Sequence, residues 1–200
     1  MKILHVIDLH FNKKWFEWIL EVQDDYDVVC ITGDFLDSDK DEPKEEQAAW
    51  VKDWLKKFKK PPLTCTGNHD SVDLDNGQWL LQSEYAYSDG AKVARDGVKF
   101  GCVDYIEREF FEFNDCDVIL CHEPPSNTKT SKTPKSSKDW GDKQLYRFLK
   151  DNVLKPKYIL CGHIHDPLST EDKINNTVIS NPASEKKTKI PSHNIIELII

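Results

Sequence analysis

Pro62-Leu63-Thr64-Cys65-Thr66-Gly67-Asn68-His69-Asp70 is the stretch on which the reading of the fold turns. A short apolar run ends in a turn that sets an amide oxygen, an imidazole and a carboxylate side by side. Glycine permits the backbone angles of such a turn, and asparagine tolerates them. These groups are metal ligands and proton carriers, so the ends of the other apolar runs become informative. Ile3–Ile7 ends at Asp8-Leu9-His10, and Asp27–Thr32 ends at Gly33-Asp34. Asp117–Cys121 ends at His122-Glu123-Pro124-Pro125, and Tyr158–Cys161 at Gly162-His163-Ile164-His165. Short runs rich in β-branched and apolar residues read as buried strands.

Between these runs the spacing changes. Trp15, Phe16, Ile19 and Leu20 predict a helix over residues 12–23. Trp50, Val51, Trp54, Leu55 and Phe58 predict a second, running from the turn at Asp39–Pro43 to about Phe58. Lys56, Lys57, Lys59 and Lys60 follow where the helix dipole favours cations. Further helices are expected around 76–82 and over Trp140–Val153, the latter with Leu145, Phe148 and Leu149 inward. Ala91–Arg95 and Val98–Tyr105 flank Asp96-Gly97 and read as a hairpin. Phe110, Phe111 and Phe113 lie in a stretch without an assigned element, and Thr177–Ser180 and Asn194–Ile200 close the chain as strands. Residues 126–139 read as a polar loop without core-forming side chains; loops of that length are functional or disordered. Its lysines, Lys129, Lys132, Lys135 and Lys138, fit either a solvated loop or a clamp on a substrate anion.

Early alternation of strands and helices followed by a hairpin implies an α/β fold with mixed sheet. The 200 residues suit one domain over 1–200, with no repeat or linker. A net charge of −8 argues against long nucleic acids as partners. The six cysteines form no Cys-x-x-Cys pair and read as buried reduced thiols. With no signal peptide and no membrane-length apolar stretch, the expected compartment is the cytoplasm.

Strand ends of an open α/β sheet face a common crevice, and strand residues two apart point the same way. The strand-end residues therefore converge as two carboxylates, one amide and several imidazoles. That set suits two divalent transition ions better than magnesium or calcium, and it is too large and too poor in thiolates for a closed zinc knot. In order, Asp8-Leu9-His10, Gly33-Asp34, Gly67-Asn68-His69-Asp70, His122 and Gly162-His163-Ile164-His165 resemble the signature of the calcineurin-like metallophosphoesterases over residues 8 to 165. The resemblance implies a two-sheet β-sandwich flanked by helices, in four α/β/β/α layers. It also implies two divalent ions, manganese first, with iron, zinc or nickel as alternatives. By it, Asp8, His10 and His165 hold one ion, Asn68, His122 and His163 the other, and Asp34 bridges them. Attack would come from a hydroxide bridging the ions, with His69 as general acid and Asp37 orienting its ring, Asp70 being the second choice.

Departures from the pattern narrow the substrate. Ser38-Asp39 and Thr66 stand where related phosphoprotein phosphatases carry phosphate-gripping arginines, and Asn181-Pro182-Ala183 stands where Asn-Pro-Gly is common. His122-Glu123-Pro124-Pro125 with Gly141-Asp142-Lys143-Gln144-Leu145 looks closest to small stand-alone phosphodiesterases. The expected substrate is a small phosphate ester, nucleotide-like. A phosphomonoesterase acting on small molecules or phosphoproteins is the alternative, with a nuclease or a non-catalytic scaffold behind it. Every ligand position is filled, which weighs against the scaffold. His5, His193 and Trp79 read as structural; Trp140 reads as a core or rim aromatic, or as a platform for a nucleobase.

Overall fold

The structure, a computed structural model, describes residues 1–72, 77–81 and 83–199. The chain opens with β1 (Lys2–Val6), α1 (Lys13–Val22), β2 (Val28–Thr32), α2 (Lys44–Leu55) and β3 (Leu63–Cys65). Then come α3 (Gln78–Leu81), β4 (Lys92–Arg95), β5 (Val98–Cys102), β6 (Val118–Leu120), β7 (Lys132–Thr133) and β8 (Ser136–Asp139). The chain continues through α4 (Lys143–Lys150), β9 (Tyr158–Leu160), β10 (Glu171–Ile174), β11 (Thr177–Ser180) and β12 (His193–Glu197). One sheet runs β12-β1-β2-β3, the other β10-β11-β9-β6-β5-β4, and β7-β8 form a separate ribbon. In both sheets the inner pairs are parallel (β1/β2/β3 and β5/β6/β9/β11) and antiparallel strands occupy edges.

Side-chain alternation produces the layers. From the first sheet, Ile3, Cys30, Leu63 and Cys65 face Phe100, Cys102, Val118 and Leu120 of the second in one buried cluster. Their neighbours Leu4, Val6, Val29 and Ile31 face the other way, onto Trp15, Phe16 and Ile19 of α1 and Val51, Trp54 and Leu55 of α2. On the far side, Ile119, Ile159 and Ile179 pack on Leu145 and Leu149 of α4. This is the expected α/β/β/α arrangement, and burial of these apolar faces is its main source of stability. All six cysteines are buried and unpaired. His5 lies fully buried between the sheets, where its ring bonds Ser180 Oγ at 2.9 Å and Thr32 Oγ1 at 3.1 Å; burial pulls its pKa down to about 3.

Four expectations need correction. The second helix stops at Leu55, and Phe58 instead closes a tight turn, its N–H donating to Leu55 O. The helix expected from Trp140 begins at Lys143, because Asp142 caps it by accepting from Leu145 N at 2.7 Å. Residues 126–139 contain the β7-β8 hairpin, and Thr128, Thr130 and Ser131 are buried, bonded to one another and to Pro125 O. Lys135 pairs with Asp166, and Lys138 lies 3.4 Å from the Trp140 ring centroid, so these two lysines already have partners. Strand β10 has no counterpart in the sequence reading; Glu171-Asp172-Lys173-Ile174 forms an edge strand with an exposed face. Within the helix expected around 76–82, Gln78–Leu81 is helical, and positions 76 and 82 lie outside the described residues. Among the described residues no helix is long and apolar enough to cross a membrane.

Candidate metal centre

The loops that follow β1, β2, β3, β6 and β9 meet at the carboxyl edges of the two sheets. The first two are zipped by their backbones: Asp8 N donates to Gly33 O, His10 N to Asp34 O and Phe11 N to Phe35 O. Asp8, His10, Asp34 and His163 all hold positive φ (48°, 41°, 55° and 67°). Left-handed backbone is costly for such residues and clusters at functional sites. Glycine makes room beside them. A Cβ on Gly67 would fall 2.6 Å from Asp34 N and 2.8 Å from His122 Cε1, as well as onto the Asp34 carboxylate.

All seven expected ligands converge. His10 Nε2 and His165 Nε2 lie 3.1 Å apart, and His165 Nε2 is 3.3 Å from Asp8 Oδ2. Asp34 Oδ2 lies 3.8 Å from His10 Nε2 and 3.4 Å from His122 Nε2, between the two halves of the cluster. Asn68 Oδ1 is 2.9 Å from both His122 Nε2 and His163 Nδ1. His122 Nδ1 donates to Thr32 O at 2.9 Å, so Nε2 is the nitrogen that would give up its proton to a bound cation. His10, Asp34 and His165 form one group whose donor atoms all lie within 4.8 Å of one another, and Asp8, Asp34 and His122 form a second.

These residues fit divalent cations. Asp8 and Asp34 are buried, and their only ion-pair partners among the described residues are histidines. Asp8 Oδ2 is buried without a hydrogen-bond partner. Buried carboxylates without compensation are costly, so the pocket calls for positive charge. His122 reflects this: burial pulls its pKa down, but Asp34 and Asp8 drive it up to about 10. Burial in turn pushes Asp34 up, yet His122 and His10 hold it well below the usual carboxylate range. Ligand atoms of one ion, each about 2.1 Å from it, stand about 3 Å apart when adjacent. That matches the spacings around His10, His165, Asn68 and His163.

The other expected catalytic residues divide. His69 sits edge-on to His10, ring centroids 4.7 Å apart, and its N–H donates to Asp34 Oδ1 at 2.8 Å. A carboxylate oxygen of Asp37 and ring nitrogens of His10 and His69 lie within 4.8 Å of one another. Asp70 is placed differently. Its Oδ1 accepts from Phe35 N and Leu36 N, and its Oδ2 from Asp34 N and Gly67 N. Fully buried beneath the loops, it braces the backbone that carries Asp34 and Asn68.

Several supporting residues escaped the sequence reading. Gln47, fully buried in α2, accepts from Asp37 N and donates to Asp37 O and Glu42 O. Lys44 donates to His69 O and Ser71 O. Arg108 grips Glu123 with both terminal nitrogens and also reaches Asp142, tying the His122 loop to the start of α4. Buried Asn181 donates to Gly162 O and Ile164 O on either side of His163. The departure at Asn181-Pro182-Ala183 was the one cue to this clamp. Ala183 holds φ 68°, where glycine carries no Cβ penalty. Ala183→Gly is expected to stabilise the protein by about 0.5–1 kcal/mol, the relief of left-handed strain exceeding the entropy glycine adds to the unfolded chain. Urea denaturation checks it, and a lower midpoint for the glycine variant would refute it.

Known proteins place this geometry. No curated protein matches the sequence significantly. Among solved structures, the protein described under "Structural and Functional Characterization of a Novel Archaeal Phosphodiesterase" superposes with a TM-score of 0.57 at 17% identity, over 98% of this chain and 93% of its own. TT1561 of Thermus thermophilus superposes with a TM-score of 0.64 at 13% identity, covering 91% and 88% of the two chains. Purple acid phosphatase PPD1 from yellow lupin (Lupinus luteus) seeds gives 0.57 at 14% identity over 90% of this chain and 43% of its own. At such identities the likeness is one of fold. Residues 1–167 match the model of the calcineurin-like phosphoesterases, and that span contains every candidate ligand. The chain belongs to the calcineurin-like phosphoesterase family.

Proposed function

We propose that the protein is a divalent-metal-dependent phosphodiesterase of the cytoplasm, hydrolysing small, nucleotide-like phosphate esters. The observation that carries this reading is the meeting of seven donors, two of them buried carboxylates that no lysine or arginine among the described residues neutralises. Asp8, His10 and His165 would hold one ion and Asn68, His122 and His163 the other, with Asp34 shared; manganese is the first candidate, then iron, zinc or nickel. Bound there, such ions act as Lewis acids on the phosphoryl oxygens and make water nucleophilic at neutral pH.

The protein's own residues supply the rest. Asp34 accepts the His69 N–H and so fixes the turn that carries His69 beside the donor cluster. His69 donates a proton to the departing oxygen, and Asp37, braced by Gln47, biases the orientation of that ring. Thr32 O fixes the His122 ring, and buried Asn181 holds the backbone on either side of His163.

His69→Ala is expected to leave metal content intact. It should slow alkyl diesters by about 10²-fold or more, since general acid catalysis contributes on that order. Activated aryl diesters, whose leaving groups depart unaided, should be slowed far less. Equal slowing of both, or loss of an ion, would overturn the acid assignment. Side-by-side turnover of bis(p-nitrophenyl) phosphate and p-nitrophenyl phosphate separates diester from monoester preference.

A further inference from the structure

Beside the donor cluster an open groove of about 540 Å³ is lined by Lys13, Lys14, Lys40 and Lys186 against a single carboxylate, Glu42. Its walls are direct continuations of the site. Phe11 and the lysines at 13 and 14 follow His10, Lys40 follows Asp37 by three residues, and Lys186 follows Ser184, whose N–H donates to His165 O. Phe11 and Lys40 thus tie the groove to His10 and Asp37, which share a cluster of donor atoms with His69. In a chain of net charge −8, the lining of this opening carries four lysines against one carboxylate.

Glu42 neutralises one of them, pairing with Lys13 at 3.1 Å, and Lys13 also lies over the Phe11 ring. Lys14, Lys40 and Lys186 have no ion-pair partner among the described residues. Lys13 and Lys14 also open α1, whose first turn has no acidic residue, so they stand where a helix dipole disfavours cations. Charges held against local preference are a mark of function rather than of folding.

We infer that this groove binds a second phosphate, carried by the leaving group of the substrate. The inference rests on the phosphodiesterase reading and narrows it to diesters whose departing alcohol is itself phosphorylated. In the 5′-phosphorylated dinucleotide pApA, water oxygen bonds to the internal phosphorus and the P–O3′ bond breaks. The electron pair leaves on O3′, which takes the His69 proton. Both products are AMP, and the proton lost by water goes to solvent, from which His69 is recharged. The 5′-phosphate of the departing AMP then lies among Lys14, Lys40 and Lys186.

The test compares kcat/KM for pApA and for ApA, which lacks that phosphate, using the metal-loaded protein and a K14E/K40E/K186E variant. Wild type should prefer pApA by about tenfold or more at low ionic strength, and the preference should shrink between about 50 and 200 mM salt. In the variant the ratio should fall to about one or below. Equal rates on the two dinucleotides, including no turnover of either, would overturn the inference, as would a variant that keeps the preference. Should the variant fail to fold, the wild-type ratio and its salt dependence decide alone. Bis(p-nitrophenyl) phosphate, run in parallel on wild type, separates the two readings: failure to cleave it defeats the phosphodiesterase reading itself.

Discussion

Asp34→Asn is expected to abolish turnover with any metal, a loss of roughly 10³-fold or greater, since removing even an outer partner of one ligand costs about 10–100-fold. The substitution preserves volume, so the fold has no steric reason to change. What it removes is charge. Asp34 Oδ2 faces His10 at 3.8 Å and His122 at 3.4 Å, while Oδ1 accepts from His69 N at 2.8 Å. An amide supplies one oxygen where two are in use, and its NH₂ would point at either a backbone donor or the shared donor position. Both candidate ion sites weaken together, because Asp34 belongs to both groups. Metal content by elemental analysis, with initial rates on bis(p-nitrophenyl) phosphate, measures this. A variant that kept both ions and a tenth of the activity would show that Asp34 is not the shared ligand.

Asp70→Ala is expected to be the most damaging substitution for folding, costing about 3–5 kcal/mol, because a buried donor left without an acceptor costs about 1–3 kcal/mol. Four backbone N–H groups, those of Asp34, Phe35, Leu36 and Gly67, lose their acceptor at once. Their penalties overlap, since one water entering the gap could serve two of them. Asp70→Asn should cost less, as one oxygen survives. Urea denaturation of the chelated protein measures both without a contribution from bound ions. If Asp70→Asn melted like wild type yet selectively slowed esters of poor leaving groups, the bracing role would be wrong and Asp70 would serve the His69 ring after all.

The contrast between Asp70 and its neighbours shows what a sequence discloses. Asp8, Asp34, His122 and His163 stand where apolar runs end, so hydrophobic periodicity alone placed them at strand ends. The mixed α/β character, the hairpin at Asp96-Gly97 and the helical faces of α1 and α2 were legible from local pattern, whereas the division into two sheets came only through the family resemblance. Asp70 is one more polar residue on a turn. Its four donors come from segments up to 36 residues away, and no local pattern announces them. The hairpin after His122 was hidden because Thr128, Thr130 and Ser131 are buried by hydrogen bonding rather than by apolarity. Strand β10 was hidden because an edge strand buries little. The left-handed backbone at Asp8 and His10 carries no glycine to betray it.

Division of the donors between the sheets has a consequence for biosynthesis. Asp8, His10, Asp34 and Asn68 follow strands of the first sheet, whereas His122, His163 and His165 follow strands of the second. A chain that has emerged only as far as β6 carries Asp8, His10, Asp34 and Asn68 without the histidines that face them. The complete donor cluster therefore assembles late, after contacts separated by some 155 residues have closed. A fragment that ends before residue 163 lacks His163 and His165, and so leaves the donor cluster open on the side of the second sheet.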